Sequence, residues 1–462
     1  MARDAVATLA EVAGCLQASL ISVSVVTVLD ASTDPGASCT YSPGDEIEMI
    51  EMTERTGCVI VGGGPAGMVA GLLLARAGIE VTVLEKHPDF LRDFRGDTVH
   101  PSTLTLLDEL GLGEKFDALP HSELTAAGFP TDGGMMKLAD MTRLKVPHPY
   151  IAMVPQWDFL DLLADSAAKE KTFTLWMRTE MTGLIREGGR VAGIRYKTAG
   201  GAQGELRANL VIAADGRWSL ARREAALQPK EYDCPFDVWW FRLSRYDDEG
   251  EGMLTPRMRN RRFAVPLPRT GYFQIAYLAP KGVDLRKEGI EAFRANVAEV
   301  CPEFADRVHE LETMDDVKFL DVRLNLLGEW HTDGLLCIGD AAHAMSPVGG
   351  VGINLAVQDA VAAATLLAQP LRRGQPTLAD LAKVRSRRLL PTMLVQGLQR
   401  ILHRTVMRPV MAGKRNGPPA AMIKLFARFP RLSYFPARLL GLGLQPEHAP
   451  AFARRPMERV GP

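Results

Sequence analysis

A glycine-rich turn near residue 62 has the spacing of a nucleotide-binding motif. Gly62, Gly64 and Gly67 form a G-x-G-x-x-G pattern directly after the apolar run 58–61, and Ala66 lies inside the pattern. Glycines at these positions permit a sharp strand-to-helix turn and allow the backbone to approach a pyrophosphate. The N-terminus of the following helix then faces the negative charge. The turn by itself predicts only that a nucleotide binds.

An acidic residue follows at the distance that is typical of adenosine-binding proteins. Glu85 ends the second predicted strand roughly 20 residues beyond the turn, and Lys86 comes next. A carboxylate at this place can accept hydrogen bonds from an adenosine ribose, whereas an arginine would favour a 2′-phosphate. The pattern therefore predicts FAD or NAD rather than NADP at this site.

Two further acidic residues each follow an apolar run that is typical of a buried strand. Asp215 and Gly216 come after one run, and Gly339 and Asp340 come after the other. These two pairs are not expected in an NAD dehydrogenase. They favour FAD over NAD.

The three motifs, in this order, resemble those of the single-component FAD monooxygenases similar to para-hydroxybenzoate hydroxylase. The resemblance extends from residue 58 to residue 371. It implies FAD as the cofactor, NADH or NADPH as a transient reductant, and a flavin C4a-hydroperoxide that hydroxylates an aromatic or similarly planar organic substrate. No second G-x-G-x-x-G occurs between Glu85 and Gly339, which agrees with a nicotinamide cofactor that has no domain of its own.

The family also implies roles for individual residues. The counterpart of Asp340 binds the ribityl hydroxyls, and the counterpart of Asp215 lies near the FAD pyrophosphate and influences the use of both cofactors. Arg95 and Gln156 match an arginine and a glutamine that reach the ribityl and phosphate portion. For Asp215, a helix N-cap at a strand end is a compatible structural role.

A glycine-rich stretch that opens a helix is expected to lie against the isoalloxazine ring. Helix-terminal N–H groups there would stabilise negative charge on the reduced flavin. The cofactor-binding residues of this stretch are Pro347, Gly350, Gly352, Ile353 and Asn354. Val351 stands where many relatives have a glutamine, so the ring contacts at this position stay open.

Two residues are candidates for activating the substrate. Asp97 lies two residues beyond Arg95, where phenol hydroxylases of the family carry an aspartate that removes the phenol proton, and His100 is a second candidate. A carboxylate beside an apolar flavin pocket can have the raised pKa that such a base needs. The alternative for both residues is a loop-capping or surface role.

The segment 230–280 is aromatic and rich in predicted strands, and it is expected to form a separate sheet above the flavin. Such a sheet can provide an apolar pocket with a few polar anchors. Because side chains alternate along a strand, only one of Trp239 and Trp240 faces the flavin, and the sequence leaves both choices open. The substrate-pocket candidates are Trp240, Arg242, Tyr272 and Gln274.

These residues require an α/β fold in which distant segments meet. We predict a Rossmann-like FAD-binding domain that is non-contiguous, an inserted β-sheet substrate domain, and a helical C-terminal tail. The FAD-binding segments are predicted at 55–120, 151–229 and 326–371, the substrate-domain segments at 121–150 and 230–325, and the tail at 372–462. Residues 1–54 carry nine acidic residues against one arginine and are predicted to be a disordered leader or an artificially early start.

Composition and charge indicate the compartment and the kinds of partner that we expect for this protein. The chain has no run of about 18 apolar residues that could span a membrane, and its six cysteines are scattered without metal-binding spacing. We therefore expect a cytoplasmic protein with reduced thiols, no metal and no nucleic-acid partner. From residue 372 onward, eighteen Lys/Arg stand against three Asp/Glu. This basic tail either packs its apolar face on the main body, which we favour, or makes peripheral contact with a membrane.

Other functions stay open at this point. A membrane-associated isoprenoid or quinone-type oxidoreductase of the same fold would use the basic tail, and a non-catalytic flavin-binding redox sensor would keep the cofactor site without turnover. A flavin halogenase is disfavoured because its W-x-W-x-I-P signature is absent. The sequence does not choose between NADH and NADPH, and a homodimer is an open expectation.

Overall fold

The structure of this protein is a computed structural model that describes residues 53–91, 98–131, 134–249 and 252–456. Arg95 and Asp97, two of the predicted site residues, lie outside these ranges, as does nearly all of the predicted leader. The described residues combine a parallel sheet, several smaller sheets and a helical C-terminal region, so the predicted α/β fold class is confirmed. None of their helices is long and apolar enough to cross a membrane.

The described ranges contain 21 strands and 11 α-helices. The strands are β1 Thr53–Val61, β2 Val81–Leu84, β3 Thr98–Val99, β4 Ser122–Leu124, β5 Ala126–Thr131, β6 Gly134–Asp140, β7 Ile151–Met153, β8 Phe173–Trp176, β9 Thr179–Glu187, β10 Arg190–Thr198, β11 Gln203–Ala213, β12 Pro229–Glu231, β13 Phe236–Ser244, β14 Met253–Leu254, β15 Arg257–Arg259, β16 Arg262–Pro268, β17 Tyr272–Pro280, β18 Lys318–Leu320, β19 Asn325–Leu327, β20 His331–Thr332 and β21 Leu335–Cys337. The helices are α1 Pro65–Arg76, α2 Pro101–Glu109, α3 Gly113–Asp117, α4 Gln156–Ala167, α5 Leu220–Glu224, α6 Gly289–Val300, α7 Gly352–Arg372, α8 Leu378–Leu402, α9 Arg408–Met411, α10 Ala420–Arg428 and α11 Tyr434–Gly441.

The three nucleotide-binding motifs lie on one mainly parallel sheet. Its strands run in the order β20-β21-β11-β1-β2-β8, and every neighbouring pair from β21 to β8 is parallel. Strands β1 and β11 are covered on both faces, which explains their continuous apolar runs. Because parallel strands end at the same edge, the glycine turn, Glu85, Asp215 and Asp340 meet there.

A five-stranded antiparallel sheet with the order β15-β16-β17-β13-β18 covers the segment that was expected to bind substrate. One face packs on α6, where Trp239 and Phe241 are buried with Phe293. The other face carries Trp240 and points away from α6. A small sheet made of β14, β5 and β6 joins residues 126–140 to the same region.

The C-terminal helices are attached to the main body by buried polar contacts. Helix α8 begins with a capping box of Thr377 and Asp380, and it continues into a π-helical turn at His403–Met407. Arg388 of α8 donates to Asp359 of α7 at 3.1 Å, and after α11 the chain returns to α2, where the Ala449 N–H donates to Glu109 at 2.6 Å. Within the tail, Glu447 binds Arg387 at 2.6 Å and Arg388 at 3.4 Å. The tail is therefore helical, as predicted, and its inner face packs on the main body.

Candidate functional site

One large cavity connects the glycine turn to the five-stranded sheet. Its volume is about 1450 Å³, which exceeds the range of roughly 300–1,000 Å³ that is typical of small-ligand pockets. Gly62, Gly64 and Asp340 line one end, and Trp240 and Gln274 line the other. The cavity is thus large enough to hold a dinucleotide and a second molecule at the same time.

The glycine turn is built so that its backbone meets the cavity. Gly62 has a φ of +107°, a backbone conformation that residues other than glycine rarely adopt. A Cβ on Gly67 would overlap the Gly62 carbonyl oxygen. A Cβ on Gly64, in contrast, would have no protein atom within 4 Å. Gly64 and Ala66 line the cavity, and no described side chain caps the first turn of α1. The N–H groups of this turn can therefore bind an anion.

Glu85 lies at the end of β2 and holds the glycine turn in place. Its Oε2 accepts a hydrogen bond from the Gly63 N–H at 3.1 Å, and its Oε1 accepts one from the His87 N–H at 3.1 Å. The side chain lines the cavity beside the exposed Lys86. These contacts fix the carboxylate at the place where the sequence predicts a ribose.

Asp215 is a buried carboxylate in the wall of the cavity, next to Gly216. Its Oδ2 accepts a hydrogen bond from the Ala221 N–H at 3.2 Å, while its Oδ1 is buried with no partner among the described residues. Burial raises the pKa of Asp215, although hydrogen bonds from the Ser219 side chain and nearby N–H groups oppose the shift. A buried oxygen of this kind fits a ligand that donates a hydrogen bond.

Asp340 is the second residue of a loop over residues 339–351, which we call the GD loop. The Asp340 side chain lines the cavity and lies 3.5 Å from Arg217 Nη2. The preceding Gly339 N–H donates to Asp359 Oδ2 at 3.1 Å, and His343 Nε2 lies 2.5 Å from the same oxygen. Burial alone would raise the pKa of Asp359, but His343, Arg388 and the Gly339 N–H lower it overall. A buried, ionised Asp359 thus fixes the backbone beside Asp340.

The rest of the GD loop leads into α7 at the cavity wall. Gly350 has a φ of +65°, and a Cβ there would come within 3.0 Å of Thr98 Oγ1. Pro347, Gly350, Gly352 and Ile353 line the cavity, as expected of residues beside a ring. Asn354 lies elsewhere, because its Oδ1 accepts hydrogen bonds from the hydroxyls of Ser102 and Thr103. These bonds attach the start of α7 to α2.

His100 lies behind the GD loop. Its ring nitrogens are 2.7 Å from the Leu440 carbonyl oxygen and 3.0 Å from the Gly350 carbonyl oxygen. The ring is fully buried, it does not line the cavity, and burial lowers its pKa. The contacts of His100 join the GD loop to the tail, and its predicted catalytic role stays a prediction. The companion candidates Asp97 and Arg95 lie outside the described residues.

Strand pairing decides which face of the five-stranded sheet meets the cavity. Trp240 lines the cavity, whereas Trp239 packs on α6. Gln274 also lines the cavity. Arg242 and Tyr272 contact each other, with the guanidinium 5.0 Å from the ring centre, but they are not part of the cavity lining. Of the four predicted pocket residues, two therefore reach the cavity.

Several cavity residues were missed by sequence reasoning. Arg269 is 2% exposed and donates a hydrogen bond to Gln274 Oε1 at 3.2 Å. Gln156, in contrast, was predicted from the sequence, and it lines the cavity from the first turn of α4. The tail also supplies one wall of the cavity. The only sequence signal for this wall is the helical spacing of the tail's apolar residues. This wall includes Gln399, Leu402, Met422, Phe426, Leu439 and Leu440.

Comparison with known proteins identifies the family. The model for the FAD binding domain matches residues 55–396. This chain belongs to that FAD-binding family. The geometry fits the cofactor, since the turn at Gly64 has room for a pyrophosphate and Asp215 has a buried oxygen for a donor.

Several relatives of this flavoprotein are named as monooxygenases. The chain is 33% identical to 6-methylpretetramide 4-monooxygenase of Streptomyces rimosus over 377 residues, which covers 80% of this chain and 88% of the relative. The anhydrotetracycline hydroxylase OxyS of Streptomyces rimosus matches with a TM-score of 0.67 and 23% identity, over 84% of this chain and 76% of that one. The p-nitrophenol 4-monooxygenase PnpA of Pseudomonas putida matches with a TM-score of 0.68 and 20% identity, over 84% and 99%. The resemblance to FAD-dependent aromatic monooxygenases is confirmed.

Proposed function

We propose that this flavoprotein is an FAD monooxygenase that uses NADH or NADPH and dioxygen to hydroxylate an aromatic compound. One oxygen atom enters the substrate and the other leaves as water, while the nicotinamide cofactor is oxidised. The 33% identical relative is named for action on 6-methylpretetramide, so we propose a substrate of similar class. Bound FAD supplies the redox chemistry, and the protein must bind, orient and shield the reactants.

The observation that carries this proposal is the continuity of the cavity. The same space is lined by the glycine turn at Gly62 and by the Trp240 face of the five-stranded sheet. A cofactor at one end and a planar apolar molecule at the other would meet near the GD loop. A cavity for the cofactor alone would have no need of this aromatic face.

The chain's own residues have three tasks in this proposal. Apolar side chains from the sheet and the tail, such as Trp240 and Phe426, exclude water from the reacting centre. The side chains of Gln274 and Arg269 are buried polar groups in an otherwise apolar wall, and they orient an oxygen substituent of the substrate. The N-terminus of α7 stabilises negative charge that develops on the reduced cofactor.

Activation of the substrate is assigned to Asp97, which would remove a phenol proton. Asp97→Asn is expected to leave substrate-free reduction of FAD by NAD(P)H intact and to lower product formation by a factor of about 10²–10⁴, the usual contribution of a general base. Unchanged hydroxylation would dispose of this assignment. His100 is the second proposed catalytic residue, and its ring contacts two backbone carbonyl oxygens behind the GD loop.

The deciding experiment measures oxidation of NADH and NADPH by the purified holoenzyme with single-ring and fused-ring phenols. We expect one class to accelerate oxidation and to gain one oxygen atom from isotopically labelled dioxygen. Oxidation that no aromatic compound accelerates would refute the proposal and favour a flavin-binding redox sensor. The preferred nucleotide identifies the reductant.

Contact of the tail with a membrane, and a homodimer, are further proposals about partners. Leu425 and Phe429 of the α10 segment are about half exposed, at 48% and 53%, and each directly follows an exposed basic residue, Lys424 or Arg428. An apolar and basic surface of this kind can bind anionic lipid. Sedimentation with anionic vesicles, compared between the parent and Leu425→Asp, tests the first proposal, and light scattering tests the second.

A further inference from the structure

One face of α8 carries a row of buried polar residues that is unusual for a helix packed on a protein core. Successive members lie three or four residues apart, so they share one side of the helix and its π-helical extension. Each is no more than 2% exposed. The members of this row, which we call the α8 stripe, are Arg388, Thr392, Gln396, Gln399 and His403.

The stripe contacts the GD loop along most of its length. Gln396 Nε2 donates to the Ala344 carbonyl oxygen at 3.2 Å and to the Asn325 carbonyl oxygen at 2.7 Å. Gln399 Nε2 donates to the carbonyl oxygens of Ser346 and Val348 at 2.8 and 2.9 Å. Because both partners are acceptors, the NH₂ end of the Gln399 amide must point at the loop.

The two ends of the stripe extend this contact. His403 Nε2 lies 3.0 Å from Ser346 Oγ, and burial lowers the pKa of His403 to about 4, so the ring is neutral at physiological pH. Arg388 acts indirectly, since its Nε donates to Asp359 Oδ1 at 3.1 Å and Asp359 binds the Gly339 N–H. The contacts therefore begin at Gly339 and end at Val348.

We propose that the α8 stripe positions the GD loop for FAD, so that the C-terminal region forms part of the cofactor site. A loop with two consecutive left-handed glycines, Gly349 and Gly350, has many accessible conformations when unbound. Side-chain amides and an imidazole that bind its carbonyls and hydroxyl select one of them. The π-helical turn at His403–Met407 fits this role, because such turns are frequent at functional sites. The inference rests on the GD loop facing the flavin ring, as the proposed function requires.

Gln399→Met tests the proposal, since methionine keeps the length of the side chain and removes both donors. In the holoenzyme we expect the dissociation constant of FAD to rise about tenfold, or about 1.4 kcal/mol, and the midpoint potential of the bound flavin to fall because N–H groups near the reduced ring are less well placed. Gln399→Glu keeps the volume of the side chain but places a carboxylate, which has no N–H donor, against the same two carbonyl oxygens. It should therefore produce a larger rise in the dissociation constant. Ser346→Ala removes the partner of His403 together with the acceptor of the Val348 N–H, and it should produce a rise of about threefold.

Gln369→Met, on the exposed side of α7, is the matched control and should change neither quantity. The proposal is overturned if the Gln399 variants lower only the melting temperature, while the FAD dissociation constant stays within twofold of the parent value and the midpoint potential does not change. If Gln399→Met does not fold, Ser346→Ala decides by the same two measurements. Neither measurement needs NAD(P)H, dioxygen or substrate, so failure of the hydroxylase proposal would leave this test intact.

Discussion

The buried arginine of α8 gives the sharpest prediction about stability. Arg388 is 0% exposed, and it donates to Asp359 at 3.1 Å, to Gln358 Oε1 at 3.1 Å and to Glu447 at 3.4 Å. Arg388→Met keeps the apolar stem but leaves two buried carboxylates without this cation. Removing one partner of a buried ion pair costs about 3–5 kcal/mol. Because His343 still contacts Asp359 and Arg387 still contacts Glu447, we expect the lower part of this range, about 3 kcal/mol.

The measurement is the free energy of unfolding from urea denaturation of the FAD-loaded protein, followed by circular dichroism. Arg404→Met, which replaces an exposed arginine in the neighbouring π-helical turn, is the matched control and should change the free energy by less than about 0.5 kcal/mol. A loss below 1 kcal/mol for Arg388→Met, similar to the control, would refute the reasoning. Such a small loss would mean that the other partners of the two carboxylates, or solvent, stabilise their charge without Arg388.

Three further predictions concern the cofactor turn, pH and the sheet. Gly64→Ala should fold normally but bind FAD at least tenfold more weakly, whereas Gly67→Ala should also lose stability, because only the second Cβ meets a protein atom. The free energy of unfolding should decrease as pH falls from 6.5 toward 4, since unfolded His403 takes up a proton that the folded state, with a pKa of about 4, excludes. Over that interval the contribution is about 3 kcal/mol. Trp240→Ala should raise the KM for the aromatic substrate, whereas Trp239→Ala should chiefly lower the melting temperature.

Each of these three predictions would be contradicted by a particular result. Equal FAD affinity of Gly64→Ala and the parent, measured by flavin fluorescence, would mean that the pyrophosphate does not lie at this turn. A His403→Gln variant should lack most of the loss in stability between pH 6.5 and 4, and an unchanged pH profile would assign that loss to other groups. Similar kinetics of the Trp240 and Trp239 variants would place the substrate elsewhere in the cavity.

The cofactor half of the site is largely predictable from the sequence, because its residues stand next to their structural causes. Gly62 follows the buried strand β1, Glu85 follows β2, and Asp340 follows β21, so the parallel sheet brings them to one edge without further information. The fold class and the helical tail follow from the same local patterns. Asn354 differs, because the hydroxyls that bind its side chain are on α2, far away in the sequence.

Only the tertiary structure decided how the two halves of the cavity meet. The alternation of Trp239 and Trp240 was visible in the sequence, but the choice between them depended on which face of β13 packs on α6. The basic tail was predicted as a helical region, but its chemical part in the site was not. Gln399 and His403 lie more than 50 residues from the loop atoms that they bind. Hydrogen bonds over such separations leave no periodic pattern, so the sequence determined a flavin site and the tertiary structure determined what surrounds it.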